Sequence, residues 1–130
     1  MKHGYMHNDR GMGLLEVLVS MIILAIGLLG LAPMIVTSIE GNIIARDHTT
    51  ASNLVKQKVE YFQGLDSLPA TPYTETESNV MTGFTRTSRI EDRTSDSSIA
   101  DGLYLVEVEV AWTDNQVDRT TAFSTFILKD

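Results

Sequence analysis

Gly11-Met12-Gly13-Leu14-Leu15-Glu16-Val17-Leu18-Val19-Ser20 opens an apolar run that continues to Val36. From Val17 to Val36 no residue is charged, and Ser20 is the only hydroxyl. About 20 such residues in a helix, rising ~1.5 Å each, cover the ~30 Å hydrocarbon core of a bilayer. A water-soluble reading needs this run as a buried central helix, and the roughly 90 other residues are too few to enclose one. Glu16 stands at the mouth of the run. An acidic side chain near the centre of an inserted helix costs roughly 2.5–3.5 kcal/mol. Its presence here points to a partner that neutralises it.

The formal net charge is −7. Lys2 and Arg10 against Asp9 give the first eleven residues a net +1, which leaves −8 for the remainder. So acidic a body argues against direct binding of nucleic acid or anionic lipid through the part beyond the run. Cysteine is absent, so packing or neighbouring subunits must supply what disulfides give many exported domains.

Three readings compete for the N-terminus. A secretory signal has an apolar core of about 7–15 residues. This run is longer, Glu16 interrupts its start, and Pro33 follows directly on the small pair Gly30/Ala32. A plain membrane anchor explains the topology: Lys2, Arg10 and the terminal amine precede the run, and the next cation is Arg46. The positive-inside rule then places the N-terminus in the cytoplasm. This reading leaves Glu16 without a role.

The third reading rests on a resemblance. A short basic leader ends in Gly11, an apolar Met12 follows, and Glu16 is fifth after that junction, ahead of a long apolar helix. This arrangement resembles the class-III signal of type IV prepilins. Glu16-Val17-Leu18-Val19-Ser20 with Ile26-Gly27-Leu28-Leu29-Gly30-Leu31-Ala32 is similar to minor pilins of the PilV type. The departures are Met12 where phenylalanine is usual and Gly13 where threonine is common. The resemblance covers Gly11 to Met34, with a weaker echo in Val110-Ala111-Trp112-Thr113-Asp114 and the strand after it.

The resemblance implies cleavage after Gly11 by a membrane-embedded prepilin peptidase, which also methylates the new Met12 amine. Glycine suits a narrow cleft because it carries no side chain. The released amine, with an ordinary pKa of about 7.7–8.0, is mostly cationic at neutral pH. The resemblance pairs Glu16 with the Met12 ammonium of an adjacent subunit. A buried pair of that kind fixes register more than it stabilises. The bland alternative is that Glu16 snorkels to the headgroups. Gly27 and Gly30 suit either close helix packing or the general tolerance of glycine in membrane helices. Pro33 removes a helical hydrogen bond, so Gly27, Gly30 and Pro33 mark a kink or soft stretch.

Beyond the run, Ile43, Ile44, Ala51, Leu54, Val55, Val59 and Phe62 recur at helical spacing, with Arg46, Asp47, Lys56, Lys58 and Glu60 expected on other faces. Gly64 is the expected C-cap. Leu65 to Val80, rich in Pro and Thr, reads as a loop. Phe84 to Ile90 reads as a strand, and Glu91 to Gly102 as a second loop. Tyr104-Val106-Val108-Val110-Trp112 alternates with Leu105-Glu107-Glu109-Ala111, the clearest strand in the chain. Thr113 to Gln116 turns, and Arg119 to Leu128 forms a last strand.

The expected fold is therefore α+β: a long N-terminal helix on an antiparallel sheet of three to four strands. The expected divisions are a leader over 1–11, a transmembrane or filament-core helix over 12–36, and a periplasmic body over 37–130. Within the body, helix is expected over 37–63 and sheet with loops over 80–130.

No cofactor or metal is expected, and no catalytic residue. His3 and His7 have helical metal spacing but fall in the leader, and His48 reads as a solvated side chain. Asp92, Asp96 and Asp101 lack the spacing and closing glutamate of an EF-hand. No nucleophile motif, phosphate loop or dinucleotide fingerprint occurs. The reading is a non-enzymatic subunit, processed at Gly11 and Met12 and using Glu16 in assembly. It starts in the inner membrane with lipid around the helix and moves to the pilus surface. The implied partners are other major and minor pilins, the prepilin peptidase/methyltransferase and the inner-membrane assembly platform. Two alternatives stay open: a minor pseudopilin of type II secretion and a membrane-anchored periplasmic binding module.

Overall fold

A computed structural model describes residues 9–129, with side chains from Gly13 onward. Its elements are α1 (Asp9–Gly64), β1 (Tyr73–Met81), β2 (Phe84–Glu91), β3 (Leu103–Asp114) and β4 (Val117–Leu128). The chain divides into two compact units, Met1–Asn42 and Ile43–Asp130. The helix starts ahead of the expected Met12 and passes through Pro33 without a break in its assignment. Proline has no N–H, so the Leu29 carbonyl lacks its usual donor. One turn later Thr37 Oγ1 donates to the Pro33 carbonyl at 3.0 Å.

In the second unit α1 packs against the antiparallel sheet, whose order is β1-β2-β3-β4. Ala51, Leu54, Val55, Val59 and Phe62 of α1 meet Phe84, Ile90, Val106, Val108, Val110, Trp112 and Ile127. Each large side chain so removed from water contributes about 1.5–3 kcal/mol. The β3 alternation places Val106, Val108, Val110 and Trp112 in the core and leaves Glu109 exposed.

Strand β1 occupies Tyr73–Met81, where composition predicts a loop over 65–80. The strand pairs Tyr73 with Ile90, Glu75 with Ser88 and Glu77 with Arg86. Its half-buried face is Tyr73, Glu75 and Glu77, against exposed Thr74, Thr76 and Ser78. The alternation is one of charge, and an apolar template does not register it. The sheet therefore begins at 73 and not at 80, and it has four strands.

One further expectation changes. Lys58 is buried, at 7% exposure, and does not face water. Gly64 is the last residue of α1, and the capping there comes from a distant residue. Lys129 Nζ donates to the Gln63 carbonyl at 3.2 Å and also to that of Leu65. A cation at this end also complements the helix dipole. At the other end of β4, Asn115 (φ 47°) and Gln116 (φ 64°) are both left-handed. That is the conformation of a two-residue hairpin turn matched to sheet twist.

Candidate functional site

Side chains from Gly13 to Ile43 are all exposed, including Leu14 at 75% and Leu29 at 73%. None of the candidate membrane window is buried against its own chain. Water-soluble monomers rarely show apolar patches beyond a few hundred Å². A surface of this kind belongs in lipid or against other helices. The helix is long and apolar enough to cross a membrane.

Glu16 lies on this helix. At about 100° per residue, Glu16, Ser20, Gly27 and Gly30 are separated by four, seven and three positions and share one face. A Cβ added at Gly13, Gly27 or Gly30 meets nothing within 4 Å. The small size of these residues therefore answers to no contact among the described residues. Gly11 and Met12 fall within the first turns of α1 by backbone, and the Met12 side chain lies outside the described residues, as do His3 and His7 entirely.

The second unit holds a polar cluster that helical spacing alone left among the solvated charges. Lys58 Nζ donates to Glu75 Oε2 at 2.7 Å and lies 3.0 Å from Glu77 Oε2. Arg86 Nε donates to the same Glu77 oxygen at 2.8 Å, and its Nη1 reaches the Leu54 carbonyl at 3.1 Å. Burial pulls the Lys58 pKa down, but the bonds and charges of Glu75 and Glu77 outweigh it and leave it raised. Glu75 is held below the usual carboxylate value chiefly by Lys58, and Glu77 chiefly by Arg86. All four charges are matched, so the cluster docks α1 on β1 and β2 and leaves no reactive group unpaired. A signal for Lys58 exists in the sequence. Ala51, Val55, Lys58 and Phe62 are spaced four, three and four, so Lys58 sits in the buried stripe itself.

The acids of the 91–102 loop cap turns. Asp92 Oδ1 accepts from the Thr94 amide at 3.0 Å and from Ser95, and Asp96 Oδ1 from the Ser98 amide at 2.8 Å. Among the described residues no three His, Cys, Asp or Glu side chains converge as metal ligands would. The His48 ring, though exposed, stands edge-on to Trp112 at 5.0 Å and 88°. It covers the indole, where composition alone marks it as a solvated side chain.

Residues 6–32 match the family model of the prokaryotic N-terminal methylation motif. This is the processing signal of type IV pilin-like prepilins. The match takes in Gly11, Met12, Glu16, Gly27 and Gly30 and stops just before Pro33. No curated protein and no solved structure matches the chain significantly. Residues 6–32 thus carry a type IV pilin-like prepilin signal, and the motif points to a structural subunit rather than an enzyme.

Proposed function

We propose that this chain is a minor type IV pilin, cut after Gly11, methylated at Met12 and built into a filament through its apolar helix. The observation that carries the reading is the conjunction of the methylation motif over 6–32 with a helix whose apolar surface has no cover of its own. Lipid of the inner membrane covers that surface first, and the helices of other pilins cover it after assembly. Delivery from one to the other falls to the inner-membrane assembly platform.

Glu16 is the residue of register. Placed one turn after the new Met12 amine, it meets the ammonium of a neighbouring subunit while its own helix packs along the Ser20, Gly27 and Gly30 face. Small residues at such a face let backbones approach closely. Gly27, Gly30 and Pro33 also form the least helix-favouring stretch of the rod, and it loosens when the rod enters a crowded filament core.

Mass spectrometry of the mature N-terminus tests the processing step. A methylated Met12 is expected; an intact Met1, or a cut near Ala32, removes the reading. Glu16→Leu separates filament subunit from simple anchor, because the protein should remain processed and membrane-bound yet vanish from sheared filaments. An anchored binding module would be indifferent to the change. Deletion of the gene distinguishes the pilus from the secretion machine, by loss of pili in one case and loss of protein export in the other.

A further inference from the structure

We propose that the free edge of β4 accepts an extended, uncharged segment of a basic partner subunit as a fifth strand of the sheet. The edge itself needs only the folded unit from Ile43 onward, and that its occupant is a subunit rests on the pilin reading.

Strand β4 ends the sheet, so among the described residues its second edge pairs with nothing. It runs 12 residues, Val117–Leu128, and pairs with β3 without a register break. Natural edges are usually blunted by bulges, prolines or charges. The opposite edge, β1, has such protection: its register breaks between Glu77 and Met81, Asn79 is left-handed there, and two glutamates sit on the strand. β4 has none over Thr120 to Leu128, which contains no charge, no proline and no bulge.

The two-residue turn closes on the Asp114–Val117 pair. Pairs that exchange both backbone bonds alternate from there. Val117, Arg119, Thr121, Phe123 and Thr125 therefore turn their amides to β3, while Thr120, Ala122, Ser124 and Phe126 turn theirs outward. Water satisfies these amides and carbonyls one at a time, and another extended backbone satisfies the whole row at once.

Beside this edge a groove of about 480 Å³ runs between α1 and β4, lined by Val55, Lys56, Val59, Glu60, Thr121 and Phe123 among others. Phe123 lies opposite buried Val108 and so points to the helix side, yet it is 52% exposed. Alternate side chains of an added strand would cover it. Charge selects the partner. The chain carries −7, so a second copy is repelled and a cationic subunit attracted, while the uncharged edge asks for an uncharged paired segment.

The test uses the full chain in detergent micelles, residue-resolved amide exchange, and a synthetic peptide of alternating threonine and valine flanked by lysines. Bound peptide should slow exchange at Thr120, Ala122, Ser124 and Phe126 about tenfold or more. Thr121, Phe123 and Thr125 should stay protected throughout. Ala122→Pro and Thr120→Pro each delete an outward amide only, which edge strands tolerate. With the inward amides still protected, both should lose the effect. A glutamate-flanked peptide should bind more weakly. The proposal is overturned if the outward amides gain no protection, if a proline variant that keeps its inward protection binds equally, or if the glutamate-flanked peptide binds as well. It is likewise overturned if protection rises with protein concentration alone, which would make the occupant a second copy.

Discussion

Lys58 Nζ lies 2.7 Å from Glu75 Oε2, with the lysine buried in the helix stripe and the glutamate on the strand above it. The pair spans 17 positions of sequence and crosses from α1 to β1. With Glu77 and Arg86 it replaces, at one end of the core, the apolar contacts made elsewhere. A buried ionic group is stable only while every member keeps a partner.

Stability should accordingly fall on both sides of neutral pH. Glu75 and Glu77 are held below their ordinary value of 4.5, so their contribution is complete above that pH and disappears as pH drops through the lowered folded values. Lys58 is raised above its ordinary 10.5, so its contribution is complete below that pH and disappears as pH climbs through the raised value. Urea midpoints of the micelle-bound protein should be flat between these limits and should decline beyond them. A midpoint unchanged well below pH 4 would contradict the assignment.

Glu77→Gln should cost about 1.5–3 kcal/mol, because Lys58 and Arg86 share its Oε2 and both lose a charged acceptor. The variant should also show a shallower acid decline than the parent. Equal slopes in the two proteins would place the acid sensitivity elsewhere.

Phe62→Ala removes a side chain that is 1% exposed and faces Tyr73 at 6.3 Å. About 3–5 kcal/mol of stability should go with it. The circular dichroism of the melt should show the sheet unit losing cooperativity, and a loss under about 1 kcal/mol would mean the core had collapsed around the vacancy.

Gln116→Gly relieves a left-handed residue that is neither glycine nor asparagine. Left-handed backbone costs an L-residue about 1–2 kcal/mol, part of which glycine gives back through the unfolded chain. A net gain of about 0.5–1 kcal/mol is expected, read as a higher thermal midpoint; a lower midpoint would show that the Gln116 side chain contributes more than its backbone strain costs.

Gly27→Ala and Gly30→Ala each add a methyl group into open space and about 0.8–1 kcal/mol of helix propensity. Insertion and processing should be unaffected, while the share of protein in sheared filaments should drop. Undiminished incorporation of the double variant would show that neither softening nor close approach is needed at these positions.

Much of this was legible in the residues themselves, for identifiable reasons. Val106, Val108 and Val110 declare β3 because one face of that strand is apolar and the other is not. Ala51, Leu54, Val55, Val59 and Phe62 declare the helix stripe in the same way, and all five are buried. β1 stayed hidden because its inward face is acidic, and an acidic inward face makes sense only once Lys58 and Arg86 are seen beneath it. Ile43 fits the helical spacing yet is 40% exposed, since its neighbourhood precedes the core. The methylation motif was readable without any fold, because processing enzymes act on a linear stretch near the terminus. What that stretch meets is written on other molecules.

The core of the sheet-bearing unit begins only at Ala51, and no described side chain before Ile44 is even half-buried. Mutations in the rod and mutations in the head should therefore be felt by different observers. The first are screened by whatever greasy surroundings receive the rod, and the second by the head's own capacity to stay folded. A substitution confined to one part should therefore leave the other part's behaviour unaltered.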